Sequence, residues 1–206
     1  MRNAVGFYWT LPVPWAGFKE LPEGIEEAAK ASRTIRYQCE LIRHYAKDSN
    51  YQLVAEEVFL EIEPDRGSRY IREPLRRVEE ICRANDAVLL YVDFSMVQNW
   101  RGHEPLSDWA RETRIDFEKV WPDEILIDGR AFDPHKHFSA WRARQSEWTE
   151  GKEQRTSRAL AVARQLRNGK QTYKAISEEL NAQEIRSATG KPWTEESIRK
   201  LLGPKR

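Results

Sequence analysis

The run Ala87-Val88-Leu89-Leu90-Tyr91-Val92 has no charged residue and no period-two alternation. A strand that is apolar at almost every position has to be covered on both faces, and the sheets that satisfy this are parallel ones with helices above and below. Three more runs extend the pattern. Ala4-Val5-Gly6-Phe7-Tyr8-Trp9-Thr10-Leu11-Pro12 is rich in strand formers and is stopped by Pro12 and Pro14, which cannot donate to a ladder. Residues 52–62 give another strand and residues 124–128 a fourth. Between them the apolar positions fall at helical spacing: Ile25, Ala28, Ala29, Ile35, Cys39, Ile42 and Ala46, then Leu75, Val78, Ile81 and Cys82 behind Pro74, then residues 106–117. The order βαβαβαβ predicts an α/β domain whose mostly parallel sheet is flanked by helices. Ligands of such sheets bind beyond the carboxyl ends of the strands. There the first strand offers only Thr10, Leu11, Pro12, Val13, Pro14, Trp15 and Ala16, a segment with one hydroxyl, no charge and no thiol.

At Asp133-Pro134 the periodicity changes. Asp133 is a good N-cap with Pro134 at the first helical position, and Phe138, Trp141, Trp148, Ala159, Val162, Ala163 and Leu166 continue a long helical stretch in which Gly151 is a candidate break. Residues 172–181 and 194–202 read as two short capped amphipathic helices, joined by a loop longer than a tight helix-turn-helix turn. With the preceding helix they predict a trihelical DNA-binding unit, its core formed by Ile176, Leu180, Ile185, Trp193, Ile198 and Leu201. The expected division is 1–133 for the α/β domain, 134–167 for a long helical dimerisation or linker region, and 168–206 for a small all-α domain of helix-turn-helix type.

Composition enters through its distribution. The net charge of +1 hides 13 Lys and Arg against 6 Glu in residues 152–206, or +7, and 21 against 27 in residues 1–151, or −6. A basic tail on an acidic body favours a polyanion partner over a merely solvated helix pair. Cys39 and Cys82 lie in amphipathic helical patterns outside any C-x-x-C, as buried thiols of a reducing compartment do. With no secretory leader pattern and no apolar run long enough to span a membrane, a cytoplasmic protein without membrane contact is expected.

The order of elements and several residues together resemble the serine recombinase (resolvase/invertase) family over nearly the whole chain. Tyr8-Trp9-Thr10-Leu11-Pro12 lies in register with the Tyr-x-Arg-x-Ser that ends the family's first strand. Gln38 falls at the glutamine of its first helix, Arg72-Glu73-Pro74-Leu75 at its Arg-x-x-Leu helix start, and residues 86–92 at its third strand. In the tail, Ala175-Ile176-Ser177-Glu178-Glu179-Leu180-Asn181, the stretch 185–193 and the stretch 198–202 are similar to the helical DNA-binding segment of larger members, and this match is the most specific. The resemblance implies a resolvase-like sheet, a dimer-forming long helix carrying Phe138, Trp141 and Trp148, and double-stranded DNA as partner. It implies DNA contacts by Arg186, Ser187, Thr189, Lys191, Thr194, Ser197, Arg199 and Lys200, short polar and basic side chains suited to phosphates and base edges.

The departures bear on catalysis. Pro12 stands at the nucleophile position and Thr10 at the arginine two before it; the family's Asp-Arg-x-x-Arg falls on Phe94, Ser95 and Gln98, or one residue earlier with Asp93 as sole survivor, and Arg72 alone remains of the arginine set. Without a hydroxyl nucleophile and the guanidiniums that stabilise charge on the phosphoryl oxygens, strand exchange loses both of its main sources of rate. A catalytically inactive homologue acting as a transcriptional regulator is therefore expected, with no cofactor. Two alternatives stay open: a divergent active recombinase using Thr10, and a protein-binding scaffold using the Trp15/Phe18 loop. His135 and His137, with His103 elsewhere, lack the paired cysteines or third ligand of a metal site, and no metal is expected.

Overall fold

A computed structural model of the chain describes residues 1–13, 16–61, 69–97, 103–188 and 191–203. The chain divides into two compact units, a first of Met1–Val13 and Phe18–Ala140 and a second built on Trp141–Arg206. The first is an α/β unit. Its strands β1 (Arg2–Thr10), β2 (Tyr51–Leu60), β3 (Val88–Val92) and β4 (Phe117–Val120) form one sheet in the order β2-β1-β3-β4, every pairing parallel. Helices α1 (Ile25–Ala31) and α2 (Arg33–Asp48) follow β1, α3 (Arg72–Asn85) follows β2, and α4 (Glu104–Thr113) follows β3.

Local chemistry sets these boundaries. Ser32, in extended conformation, ends α1 and caps α2 by accepting from the Ile35 N–H at 3.3 Å. Asp86, at φ 48°, terminates α3 in the left-handed conformation that Asp tolerates better than most residues. Val5 and Phe7 of β1 join Leu75, Val78 and Cys82 of α3 and Leu106 and Trp109 of α4 in one core, while Tyr8, on the opposite face, meets α2. Tyr8 donates to Glu56 Oε1 at 2.6 Å, and Arg43 of α2 closes on the same carboxylate at 2.9 and 3.0 Å. Gly6 makes room for this: a Cβ there would stand 2.9 Å from Tyr8 Cζ. Cys39 and Cys82 are both buried free thiols, which burial pushes up to about 12 and about 11.

Three expectations change. The fourth strand of the sheet is β4, not 124–128. The helix expected over 106–117 ends at Thr113 because Arg114 turns to φ 55°, and this frees residues 117–120 to pair with β3. Residues 125–127 instead form β5 (Ile125–Ile127), an antiparallel hairpin with β6 (Arg130–Phe132). Its turn is Asp128-Gly129 at φ 52° and 72°, the two positive values a two-residue hairpin demands. Third, Gly151 does not interrupt α5 (Pro134–Asn168), whose 35 residues run through it. The N-cap expected at Asp133 is present, its Oδ1 accepting from the Lys136 N–H at 3.1 Å.

The second unit holds the remainder of α5 with α6 (Tyr173–Ala182) and α7 (Glu195–Leu202). Ala159, Ala163, Ile176, Leu180, Ile185, Trp193 and Ile198 form its buried core, with Leu166, Tyr173 and Leu201 packed against them.

Candidate functional site

Reversal of strand order between β1 and β3 places a crevice, in sheets of this kind, at their carboxyl ends. Thr10 and Asp93 are there, with Glu61 following β2, and all three are buried. Beside them, among the described residues, lies an aromatic layer. Phe94 lies edge-on to Trp9 at 5.6 Å and against Phe138 at 4.9 Å; Tyr37 stacks on Phe132 at 4.5 Å; His137 sits 4.8 Å from Phe132. Each such pair contributes about 0.5–1.5 kcal/mol beyond its buried area.

The polar groups described at this edge bond to neighbours within the chain. Thr10 is 5% exposed, and its Oγ1 accepts from Ser32 Oγ at 3.1 Å. Gln38 brackets the Trp9 peptide, accepting from its N–H at 3.1 Å and donating to its carbonyl at 2.6 Å. Asp93 pairs with Lys119 at 2.9 Å and accepts from the Ser95 N–H at 2.9 Å. Burial pushes the Asp93 carboxyl up, but Lys119 and Ser95 outweigh it and hold the group below its ordinary value.

His103 and Glu61 form the buried pair of this region. His103 caps α4 through Nδ1, which accepts from the Leu106 N–H at 3.3 Å. The proton of a neutral imidazole then sits on Nε2, which donates to Glu61 Oε2. An aspartate–histidine couple of a nucleophilic triad keeps its second nitrogen free for the hydroxyl it activates. Here that nitrogen is spent on a helix terminus, so the pair positions α4.

The other residues singled out from sequence are scattered. Pro12 and Ser95 are half-buried; Arg72 is exposed and reaches Glu112 at 3.5 Å. Gln98, Thr189 and Trp15 lie outside the described residues. Phe18 bridges back to Val13. Phe138 is a correction: it is 5% exposed and packs on Phe94, so its side chain is core and has no surface for a dimer partner. This packing also puts the division of the chain inside α5 instead of at Pro134. Trp148 is half-buried with the Arg155 guanidinium 4.1 Å over its ring. His135 is exposed, and His137 Nε2 meets Thr34 Oγ1 at 3.2 Å. Among the described residues, no three His, Cys, Asp or Glu side chains are grouped to hold a metal.

Burial, followed by the positive charge of Arg33, pushes the His137 imidazole down. A histidine held neutral by the fold contributes stability that is complete above its unfolded value, about 6.5, and is lost as pH falls toward the lower folded value. The urea midpoint is therefore expected to drop between pH 7.5 and 5.5, and His137→Asn to flatten that dependence. A wild-type pH dependence retained in the variant would assign the effect elsewhere.

The second unit presents a different chemistry. Asn181 closes the loop between α6 and α7 by accepting from the Trp193 N–H at 2.8 Å and donating to the Trp193 carbonyl at 2.9 Å, while the indole N–H donates to the Ile185 carbonyl at 2.8 Å. Within the loop, the Ser187 N–H donates to the Lys191 carbonyl at 3.0 Å and Ser187 Oγ accepts from the Lys191 N–H at 3.0 Å. Thr194 and Ser197 form a capping box at the start of α7, so both hydroxyls are engaged in the helix terminus. Arg186, Lys191, Arg199 and Lys200 are exposed. Arg199 and Lys200 lean on Glu195 at 3.4 Å and Glu196 at 2.8 Å, solvent-screened pairs worth little and readily exchanged for another anion. Trp193 is in the core that the sequence pattern assigned to it, while the Asn181 clamp is what that pattern left without a role, although Leu180-Asn181 stands in it plainly.

Together these features define an α/β protein with a parallel sheet whose carboxyl edge, among the described residues, carries an aromatic layer, followed by a basic helical unit. Comparison of the chain with protein-family models, with curated proteins and with solved structures finds no match in any of the three. Among the described residues, no helix is long and apolar enough to cross a membrane.

Proposed function

We propose that this is a non-cleaving, sequence-specific DNA-binding protein, a transcriptional regulator built on a resolvase-like α/β domain, whose C-terminal helices contact duplex DNA in helix-turn-helix fashion. The observation that carries the reading is the concentration of charge: +7 over residues 152–206, with Arg186, Lys191, Arg199 and Lys200 exposed and Asn181 of α6 hydrogen-bonded to Trp193 just before α7. Short polar and basic side chains on positioned elements are what backbone positioning and base readout require. The aromatic packing at the carboxyl edge supports the absence of cleavage, since Thr10 is buried against Ser32 and, among the described residues, has no base or guanidinium bonded to it. Homodimerisation on symmetric half-sites is the economical way for one such helix pair per chain to read an operator.

The test is retention of mixed duplex fragments by the full chain across a salt series, with sequencing of what is held. A defined, roughly palindromic site and a steep salt slope are expected. The full-length triple variant Lys191→Gln, Arg199→Gln, Lys200→Gln is expected to flatten that slope by about 0.9 for each phosphate that is no longer neutralised. A wild-type chain that retains no duplex overturns the proposal. A covalent protein–DNA adduct on the enriched site overturns its non-cleaving part.

A further inference from the structure

The helical unit holds two guanidiniums against one tyrosine. Arg167, in the last turn of α5, places its guanidinium carbon 4.5 Å from the centre of the Tyr173 ring, and Arg199, on α7, places its own 5.7 Å from the same centre. Tyr173 opens α6 and is fixed from below by packing on the helical core. Residues from three separate helices therefore converge, and the two like charges lie no farther apart than the sum of those two distances. Like charges brought together at a surface repel unless an anion joins them. Among the described residues Arg167 has no carboxylate partner: its Nη1 donates to the Gln171 carbonyl at 2.7 Å, a bond that uses one of the five N–H donors of a guanidinium. The carboxylate beside Arg199 is Glu195, at 3.4 Å, a long and exposed contact.

Stacking on an aromatic face fixes the plane of a guanidinium, so less rotamer freedom is lost when its fork meets an oxyanion. We infer that Arg167 and Arg199, splinted by Tyr173, form a phosphodiester clamp that grips the DNA backbone and sets the register of α7, independently of base sequence. The inference rests on the DNA-binding reading above and adds to it Arg167 and Tyr173, which nothing in the motif of the tail singles out. Arg167 and Arg199 are the phosphate-binding groups; Tyr173 is a positioning residue that touches no ligand.

The experiment uses the full chain and three duplexes: the enriched site, a scrambled site and an unrelated sequence of equal length. Arg167→Gln and Arg199→Gln are each expected to weaken binding roughly three- to tenfold on all three duplexes alike, and to lower the salt slope by about 1, as removal of a phosphate-binding cation does. Arg167→Lys keeps the charge without the planar stack and is expected to keep the slope while losing affinity. Tyr173→Phe, which retains the ring, is expected to bind as wild type, and Tyr173→Leu, which fills the core without a π face, to weaken binding on every duplex with the slope unchanged. Far-UV dichroism on each variant checks that the helices persist. If the wild type binds and Arg167→Gln leaves affinity and slope intact, the clamp is overturned and the DNA-binding reading stands. If the wild type binds none of the duplexes, the DNA-binding reading itself has failed.

Discussion

Trp193→Ala is expected to unfold the helical unit of the full-length chain and to abolish its retention of duplex DNA. The indole is 7% exposed, lies in the small cluster that holds the unit together, and donates to the Ile185 carbonyl at 2.8 Å. Truncating a buried Trp to Ala costs about 3–5 kcal/mol. A core of this size supplies rarely more than about 3–5 kcal/mol in total. The substitution therefore removes stability of the same order as the unit has. The measurement is amide hydrogen exchange on the full chain, where protection is expected to vanish across α6 and α7 and to persist in β1 and β3. Asn181→Ala, which strips the N–H and carbonyl of Trp193 of their side-chain partners, should move the same amides in the same direction by a smaller amount. Unchanged protection in α6 with Trp193→Ala would show that the helices are held by something other than this core.

Phe94→Asp is the second large effect, and it bears on the proposed absence of cleavage. It introduces the carboxylate that one register of the recombinase resemblance puts at this position. The site has no room for the charge: Phe94 is 2% exposed and sits between Trp9, Tyr37 and Phe138, at ring distances of 5.6, 6.2 and 4.9 Å. Loss of the ring alone costs about 3–5 kcal/mol, and an unpaired buried carboxylate adds several more before it takes up a proton. The expected outcome is loss of the cooperative urea transition of the α/β unit at neutral pH, with partial recovery under acid as the carboxyl becomes neutral. Phe94→Leu, which keeps most of the volume, should remain folded with a lowered midpoint. A folded Phe94→Asp chain with a wild-type midpoint at pH 7 would mean that the carboxyl edge is open to water.

Much of the architecture is legible because it is written locally. The all-apolar run of β3 predicts a strand covered on both faces, and β3 is buried at every position and flanked by β1 and β4. Asp133-Pro134, Thr172 and Thr194 are helix starts in sequence and in structure, since capping depends on side chains within three residues. The strand β4 escapes such reading because it is a short edge strand, Phe-Glu-Lys-Val, with two exposed positions and no apolar run to announce it. The hairpin of β5 and β6 is announced by Asp128-Gly129, but a pattern of strands alternating with helices hides that signal by making any apolar triplet look like a further parallel strand. At the candidate site the departures at Thr10, Pro12 and Phe94 are visible residue by residue, but the convergence of Arg167 and Arg199 over the Tyr173 ring is not, because the three residues belong to different helices and share no periodicity.

What the amino-acid order determines alone, then, is the alternation of strand and helix, the apolar face of each element, the capped helices of the tail and the charge of +7 over residues 152–206. These follow from propensities, periodicities and short-range hydrogen bonds that act over a few residues. Tertiary structure alone decides what fills the carboxyl edge of the sheet. Trp9 from β1, Tyr37 from α2, Phe132 from β6 and Phe138 from α5 reach Phe94 or one another across more than twenty residues of chain. An aromatic side chain is equally suited to a core, a surface stack or a dimer face, and only the path of the backbone chooses its neighbours. That choice gathers the rings of Trp9, Tyr37, Phe94, Phe132 and Phe138 at the carboxyl edge of the sheet.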